Sequence, residues 1–329
     1  MTEESSATSQ LSVAVTTTGM TQITGGNTMT PPSSRGAQFY FQCAMIIVGV
    51  VGTATNALIL YALVASKQHK KLVLIVNQNA LDLFSSFFMV VTYSLKLCNI
   101  HLTGSVGYWL CTLLLSENLI WCGTYGSVIS LASITVERYL KVVHPVWSKN
   151  KLRNWMIYAT AAFSWIGSFI INAAMLFPTT AVIGGVCHPY TFWASETYLI
   201  MYIIWTLLSF YVIILLIFIF CYWRILIVIR RQARVMASHD ATGPSSQIQT
   251  NVVKTMIFVS TFYAISWLPH YVYGSLFLYP NEITGVGGYY AATSISFLYT
   301  CTNPFVYALK FDPVKQVLLR LILCKKTSE

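Results

Sequence analysis

The sequence predicts an all-α membrane protein, a bundle of seven transmembrane helices followed by a short amphipathic eighth helix on the inner leaflet. Three observations carry this prediction: a low charge content, a high hydropathy and seven long apolar stretches. Hydrophobic residues make up 56% of the 329 residues and charged residues 9%, and the mean hydropathy is +0.63. A soluble domain contains roughly 25% charged residues. The composition therefore excludes a cytosolic enzyme and a secreted binding module.

Seven apolar stretches are long enough to cross a membrane, for which about 20 residues of helix are needed. They cover roughly residues 41–66, 72–98, 110–140, 155–179, 198–229, 251–279 and 287–309. Asp82 in the second stretch and Glu117 in the third are tolerated if they face the interior of the bundle. We therefore predict one seven-span domain over residues 39–311.

The basic residues predict the orientation of the chain. Of the 20 lysines and arginines, all but Arg35 and Lys96 follow the first, third, fifth or seventh span. Because cytoplasmic loops carry the excess of Lys and Arg, we expect the amino terminus outside the plasma membrane and the carboxyl terminus in the cytoplasm. The net charge of +10 then belongs to anionic lipid headgroups, and no nucleic-acid partner is expected.

The two termini are predicted to differ in structure. Residues 1–38 are rich in Ser, Thr and Gly and predict a disordered extracellular tail, whose start lacks the basic and apolar segments of a signal peptide. Residues 312–329 predict an amphipathic helix and a short cytoplasmic tail, with apolar residues at helical spacing. Cys324 beside Lys325 and Lys326 is either a palmitoylation site or a free cytosolic thiol.

Three short motifs stand on the third, sixth and seventh spans. The third span ends in Glu137-Arg138-Tyr139, the sixth contains Ser266-Trp267-Leu268-Pro269, and the seventh contains Asn303-Pro304-Phe305-Val306-Tyr307. A proline inside a membrane helix frees a backbone carbonyl and permits a hinge. The pattern predicts two kinked helices beside a charged helix end.

In this order, the motifs resemble the D/E-R-Y, C-W-x-P and N-P-x-x-Y motifs of the rhodopsin-like (class A) G-protein-coupled receptors. Gly52, Asn56, Asp82, Trp165 and Tyr222 also match that family, and the resemblance covers about residues 40–324. The run from Ile265 to His270 is weakly similar to galanin-type neuropeptide receptors. The resemblance implies an extracellular ligand, a heterotrimeric G protein, arrestin and a receptor kinase as partners.

The resemblance also assigns roles to the residues of these motifs. Glu137 would hold Arg138 at rest, and Arg138 would swing out to meet the Gα subunit. Trp267 would pass ligand occupancy to the kink at Pro269. The remaining residues of the predicted activation set are Tyr139, Tyr222, Asn303, Pro304 and Tyr307. Where the family often has an acidic clamp for the arginine, this chain has Gln249, so Glu137 alone is expected to restrain Arg138.

Asp82, Ser127 and Asn303 resemble the sodium pocket of this family. A carboxylate at mid-bilayer costs roughly 2.5–3.5 kcal/mol unless it is neutralised or paired. The site is therefore either an allosteric Na⁺ site or a protonated aspartic acid in a water network. No cofactor is required by either alternative.

Cys111 and Cys187 are positioned for the disulfide of this family, with Cys98 as a competing partner. Cys111 stands 27 residues before Arg138, two more than the family's usual spacing. This predicts an irregularity in the third span. In the fifth span, Ile214 stands where a proline is usual, and Tyr263 of the sixth span replaces a Phe, so the usual helix-5 bulge is in doubt.

The outer half of the bundle limits the ligand. Phe297 stands where opsins carry their retinal lysine, and Ile120 or Asn118 where amine receptors carry an aspartate. Retinal and amine ligands are therefore not expected. Glu117 either receives a cationic ligand group or pairs with Lys96.

The remaining ligand-binding candidates are aromatic or polar. They are Asn118, Trp121, His188, Tyr202, Trp267, His270, Tyr271 and Tyr299, beside Glu117. Several of the tyrosines are alternatively interface-belt residues. An aromatic pocket with few charges suits an amphipathic ligand, so we predict a receptor for a neuropeptide. The alternative is a small non-amine or lipid ligand, and a seven-span transporter is a remote one because no internal repeat is visible. No catalytic residues are expected.

Overall fold

The computed structural model describes residues 32–69, 72–237, 244–276, 286–310, 315–317 and 319–320. The described part is a helical bundle with one short hairpin. Its helices are α1 Pro32–Ala65, α2 Val73–Leu97, α3 Gly104–Leu110, α4 Asn118–Val143, α5 Pro145–Lys151, α6 Asn154–Thr179, α7 Glu196–Leu207, α8 Ile213–Ala237, α9 Pro244–Leu276, α10 Val286–Phe297 and α11 Tyr299–Lys310. Strands β1 Ala181–Ile183 and β2 Val186–His188 pair antiparallel, with Val182 opposite Cys187.

Five helical stretches of the described residues are long and apolar enough to cross a membrane: Gly36–Ala65, Val73–Leu97, Gly104–Val143, Asn154–Thr179 and Glu196–Gln232. They match the first five predicted spans. The sixth predicted span lies in α9 and the seventh in α10 and α11, and these helices pack against the others. The third and fifth spans each contain a π-helical turn, Cys111–Leu115 and Leu208–Val212.

The third span is the centre of the bundle, since α4 contacts α2, α6, α8 and α9. Two glycines allow these close approaches. A Cβ atom on Gly123 would meet Ser85 and the Leu81 carbonyl of α2, and one on Gly126 would meet Leu81 and the Ser164 carbonyl of α6. Small residues at such crossings let membrane helices pack backbone to backbone.

The distribution of polarity is that of a protein in a bilayer. Large apolar side chains such as Ile166, Ile170 and Leu216 are about 60% exposed on the outer surface. Asn56, Gln78 and other polar side chains are fully buried between the helices. Polar side chains are thus directed into the bundle and away from the surface that lipid would cover, as expected of membrane-spanning helices.

Several predictions concern the ends of the chain. Residues 32–38, predicted as part of the disordered tail, belong to α1, because the helix begins before the apolar stretch does. The rest of that tail, Cys324 and the side chain of Tyr307 lie outside the described residues. The amphipathic eighth helix stays a prediction, since only 315–317 and 319–320 are described there, as helical.

Candidate ligand pocket and activation switch

A disulfide fastens the hairpin to the third span. Cys111 and Cys187 are bonded, with their Cα atoms 5.3 Å apart, which confirms the predicted pairing. Cys98 is instead a free and exposed thiol at the end of α2. The hairpin also reaches the preceding loop, where the Leu102 backbone N–H donates to the Gly185 carbonyl at 2.9 Å. The hairpin and disulfide thus form a cap over the end of the bundle that the basic residues predict to be the outer one.

The predicted irregularity of the third span is confirmed. Cys111–Leu115 forms a π-helical turn, Ser116 ends it, and Glu117 adopts a left-handed backbone with φ of 65°. Such a conformation is uncommon for a residue other than Gly. A π-helical turn accommodates an extra residue relative to an α-helix. The turn and the break therefore absorb the longer spacing between Cys111 and Arg138.

Glu117 is occupied by partners from α2. Its Oε1 atom lies 2.5 Å from Lys96 Nζ and accepts a hydrogen bond from the Tyr93 hydroxyl at 2.9 Å. The Lys96 ammonium also lies over the Tyr93 ring, 4.8 Å from its centroid. Of the two alternatives for Glu117, the structure has the internal ion pair. A cationic ligand group would have to displace Lys96.

Trp121 is the hub of an aromatic cluster at the base of the predicted pocket. Its ring centroid lies 5.4 Å from Phe297, 5.6 Å from His270 and 6.1 Å from Trp267. His270 Nδ1 is 3.3 Å from the Thr293 hydroxyl. The cluster joins the third, sixth and seventh spans, so a ligand touching Trp121 or His270 acts directly on Trp267.

The fifth span supplies the other wall. Tyr271 packs against Tyr211 with centroids 5.0 Å apart and against Trp267 at 6.0 Å. Tyr202 packs against the loop residue Trp193 at 5.5 Å. The candidates Trp121, Tyr202, Trp267, His270 and Tyr271 thus surround one region.

Tyr190, which the sequence did not single out, enters this region from the loop after the hairpin. Its backbone is left-handed, with φ of 56°, and its carbonyl accepts a hydrogen bond from Trp193 Nε1 at 2.8 Å. Burial, with Tyr202, Glu117 and Tyr289 near its hydroxyl, raises the pKa of the Tyr190 phenol well above its usual range. Loop conformation has no short-range sequence code, so no signal pointed to this residue.

Three predicted ligand residues lie elsewhere. Tyr299 is fully buried below Trp267, where its hydroxyl accepts a hydrogen bond from Gln78 at 2.9 Å and its ring meets Tyr263 at 5.4 Å. His188 is half-buried in β2. Tyr299 begins α11 after the break at Leu298, and the same helix carries Asn303, which binds Asp82.

Asn118, the third of these residues, is fully buried where α4 begins, and neither amide atom has a hydrogen-bond partner among the described residues. One turn inward, Cys122 Sγ is 3.5 Å from the Ser168 hydroxyl of α6. Asn118 is therefore buried at the start of α4, and no hydrogen bond among the described residues joins it to the aromatic cluster.

Asp82 lies in a polar site between three helices. Asn303 Nδ2 of α11 donates to Asp82 Oδ2 at 2.7 Å. Asp82 Oδ1, Ser127 Oγ of α4 and Asn303 Oδ1 are buried and have no hydrogen-bond partner in the described part of the chain. Buried charges in proteins are paired or coordinate metals. The spare oxygens fit a small hard cation such as Na⁺.

The inner end of the third span holds a network of charges around Glu137. Arg138 Nη2 lies 3.8 Å from Glu137 Oε2, while Lys141 Nζ contacts Glu137 Oε1 more closely from one turn along α4. Glu137 therefore pairs with both Arg138 and Lys141. The pair with Lys141 was not predicted from the sequence. Tyr139 points away toward His144, 3.3 Å from its Nε2. The side chain of Gln249 lies outside the described residues.

Tyr222 connects three spans behind Arg138. Its hydroxyl is 2.9 Å from the Thr135 hydroxyl of α4 and 2.9 Å from the Ser260 hydroxyl of α9. Tyr222 is thus held against Thr135, which lies about one helical turn before Arg138 in α4.

The fifth span has a π-helical turn although Ile214 is not a proline. The fifth span is therefore irregular even though it lacks the usual proline. A π-helical turn interrupts the i to i−4 ladder of hydrogen bonds. Here Tyr263 donates its hydroxyl to the Phe210 carbonyl, and Tyr211 donates to the Ala264 carbonyl at 2.9 Å. Tyr263, which stands where the family usually has a Phe, thus hydrogen-bonds to the π-helical turn of the fifth span.

Comparison with known proteins places this geometry in a family. The model of the 7 transmembrane receptors of the rhodopsin family matches residues 55–307. The chain therefore belongs to the rhodopsin family of seven-transmembrane receptors, which are multi-pass membrane proteins and not enzymes.

Relatives include somatostatin receptor type 5 of Rattus norvegicus, 26% identical over 296 residues, covering 85% of this chain and 76% of the relative. Somatostatin receptor type 3 of Homo sapiens is 24% identical over 314 residues, covering 91% and 72%. Adenosine receptor A3 of Bos taurus is 25% identical over 230 residues, covering 68% and 71%. The resemblance to galanin-type receptors is not shown, although somatostatin receptors are close relatives of those.

Proposed function

We propose that this receptor binds an extracellular neuropeptide and activates a heterotrimeric G protein from the opposite face of the plasma membrane. The observation that carries the proposal is the family match over residues 55–307, which includes the Glu137–Arg138 pair and the kinked sixth and seventh spans. The orientation follows from the basic loops and from the disulfide, which belongs on an oxidising face. Arrestin and a receptor kinase are proposed as further partners.

A peptide is favoured by the relatives and by the pocket. The somatostatin receptors are named for a peptide. The region around Trp121 is aromatic, its acid Glu117 is paired with Lys96, and a hairpin covers its outer end. Aromatic side chains bury a large area on contact, so a large amphipathic ligand gains more binding free energy from such a region than a small one. A peptide reaching past the hairpin would displace Tyr190 and press on Trp121 or His270.

Activation is proposed to travel from the aromatic cluster to the charged end of α4. Trp267 stands two residues before Pro269, so a changed contact with Trp121 alters the kink of α9. The inner part of α9 holds Tyr222 through Ser260. Moving α9 outward would break that bond and let Tyr222 and Arg138 rearrange. The ligand and the G protein then bias the same two-state bundle.

The test is a cell line expressing the full chain, exposed to crude tissue extract with and without prior protease digestion. We expect G-protein activation by the intact extract and none by the digested one. Arg138→Ala is the matched inert control, because it removes the coupling residue and leaves the pocket intact. A response that also occurs with Arg138→Ala would contradict the proposed switch.

A small non-amine ligand is the second candidate, favoured by the similarity to an adenosine receptor. The absence of a charged anchor at Ile120 is compatible with such a ligand. An Arg138-dependent response that survives digestion would replace the peptide by this candidate. Fractionation of the digested extract by size and polarity would then separate a nucleoside-like ligand from a lipid.

We also infer that Na⁺ binds at Asp82, Ser127 and Asn303 and favours the resting state. The unpaired oxygens of these residues support this proposal. The ion would supply the positive charge that a buried carboxylate needs, while Asn303 Nδ2 orients that carboxylate through its bond to Oδ2.

A further inference from the structure

The loop between β2 and α7 is fastened on both sides of Tyr190. Three residues before it, Cys187 forms the disulfide to the third span. Directly after it, the backbone N–H groups of Thr191 and Phe192 donate to the Thr179 carbonyl at 3.0 and 3.3 Å. Tyr190 thus stands in a short segment with a fixed attachment at each end.

The backbone of Tyr190 has a conformation that a side chain disfavours. Its φ of 56° lies in the left-handed region, which residues other than Gly, Asn and Asp seldom adopt. Trp193 Nε1 donates to the Tyr190 carbonyl at 2.8 Å and so holds this turn. Backbone strain of this kind persists only where the surrounding structure imposes it. The loop therefore keeps Tyr190 in a conformation that a free chain would leave.

The side chain of Tyr190 occupies part of the aromatic pocket. It is half-buried, and its hydroxyl lies near Glu117 of the third span, Tyr202 of the fifth and Tyr289 of the seventh. Tyr289 in turn packs against His270, with ring centroids 6.0 Å apart. A side chain of the loop thus takes up space bounded by three spans, where a ligand entering from outside would lie. We call this space the Tyr190 subsite.

The chemistry of the Tyr190 subsite suits a phenol. Aromatic walls favour a ring, and the hydroxyls of Tyr202 and Tyr289 can both donate and accept a hydrogen bond. The Glu117 carboxylate already has the Lys96 ammonium at 2.5 Å, so a ligand cation would have to compete for it. A phenol brings a ring and one O–H group without a charge, and it is the group that the chain itself places there.

We propose that Tyr190 is a tethered occupant of a phenol subsite, and that the extracellular ligand presents a tyrosine side chain that replaces it. The peptide nature of the ligand rests on the proposed function; the occupancy of the subsite by Tyr190 does not. Attachment to the loop gives the Tyr190 phenol a high effective concentration. Tyr190 therefore competes with the ligand, and its displacement releases the left-handed strain of the loop.

The test is thermal unfolding of the purified full-length receptor during titration with p-cresol, which is the tyrosine side chain as a free molecule. Tyr190→Ala empties the subsite, so p-cresol should raise the melting temperature of this variant, as a ligand of the native state does. The unmodified receptor should need about tenfold more p-cresol for the same rise, because the tethered phenol competes at a roughly millimolar effective concentration. Tyr198→Ala is the matched control: Tyr198 is a tyrosine of α7 that is 61% exposed, and its loss should leave the titration of the unmodified receptor unchanged.

A second variant keeps the test decisive where Tyr190→Ala does not fold. Trp193→Phe keeps an aromatic ring beside Tyr202 but removes the hydrogen bond to the Tyr190 carbonyl. It should loosen the tether and shift the p-cresol titration in the same direction as Tyr190→Ala.

Two outcomes would overturn the proposal. Equal p-cresol titrations for the unmodified receptor and the folded variant would mean that Tyr190 does not occupy the site. Toluene lacks the hydroxyl and should stabilise the variant less than p-cresol does; equal stabilisation would overturn the phenol as the recognised group. The measurement needs neither agonist nor G protein, so its failure leaves the proposed receptor function untouched. An agonist that survives protease digestion would refute the peptide ligand without changing this titration.

Discussion

Glu137 binds two cations with its two carboxylate oxygens, Lys141 on Oε1 and Arg138 on Oε2. The pair with Lys141 is the closer one, although Arg138 is the residue expected to move. At rest, the charge of Glu137 is therefore divided. The strength of the restraint on Arg138 depends on how much of that charge Lys141 takes.

Replacing Glu137 by Gln should raise basal nucleotide exchange on the G protein about fivefold. The physical reason is the loss of a partly buried ion pair, worth about 1 kcal/mol, which shifts the bundle toward the state with Arg138 released. Exchange would be measured in membranes with a non-hydrolysable GTP analogue. Lys141→Gln is the control, because it keeps the Glu137–Arg138 pair and should not raise the rate. An unchanged rate in Glu137→Gln would disprove the restraint.

The Asp82 site predicts a sodium-dependent stability. In detergent, the melting temperature of the receptor should be higher in sodium chloride than in an equal concentration of potassium chloride, since a ligand that binds only the native state stabilises it. Asp82→Asn removes the charge that attracts the ion and should abolish the difference between the salts. If the variant keeps the same sodium-dependent difference, Na⁺ binds elsewhere.

At the scale of elements, the irregular fifth span depends on the sixth. The π-helical turn Leu208–Val212 has Tyr263 on the Phe210 carbonyl, and Tyr211 of the turn reaches the Ala264 carbonyl. These two bonds cross between the spans in opposite directions. They fasten the middle of the fifth span to the part of α9 just before Trp267.

Tyr263→Phe should lower the melting temperature, because a buried carbonyl left without its donor costs about 1–3 kcal/mol. Thermal unfolding of the purified protein measures the effect. Tyr271→Phe is the matched control: Tyr271 is also buried in α9, but its hydroxyl makes no hydrogen bond that the described residues show. Equal melting temperatures for the two variants would mean that the Tyr263 bond contributes nothing to stability.

The disulfide of the cap predicts that substitutions of Cys111 and of Cys98 have different effects on expression at the cell surface. Cys111→Ser breaks the covalent link between β2 and the third span, and a disulfide typically contributes about 2–4 kcal/mol to stability. We expect little Cys111→Ser receptor at the cell surface. Cys98→Ser should leave surface expression unchanged, since Cys98 is a free thiol. Loss of expression in Cys98→Ser would indicate a disulfide exchange that the structure does not contain.

At the scale of the whole molecule, the extracellular ligand pocket and the cytoplasmic G-protein contact both depend on the predicted orientation of the chain. An epitope tag at the amino terminus should be stained by antibody in intact cells, and a tag at the carboxyl terminus only after permeabilisation. The reason is the excess of Lys and Arg after the odd-numbered spans. The opposite staining pattern would place the aromatic pocket on the cytoplasmic side and contradict the proposed function.

The features that could be predicted from the sequence are those with a local physical signal. The spans follow from apolar length, the disulfide from the family resemblance, and the broken third span from the spacing of Cys111 and Arg138. Tyr190 and Tyr299 could not be assigned, because their positions depend on a loop conformation and on the rotation of a kinked helix. The sequence is compatible with both alternatives for Glu117, a ligand contact and an ion pair with Lys96. Only the distance between Glu117 and Lys96 in the structure identifies the ion pair.

The break at Ser116 and Glu117 has a mechanical consequence. A continuous α-helix transmits rotation and tilt along its length like a stiff rod, whereas a π-helical turn ending in a left-handed residue is a joint. We expect the outer segment, with its disulfide and hairpin, to tilt on the bundle more easily than α4 bends. Side chains that bridge the joint, such as Lys96 and Tyr93 on Glu117, would then carry a displacement of the cap into the interior. We therefore expect the receptor to deform at its outer mouth before it deforms along α4.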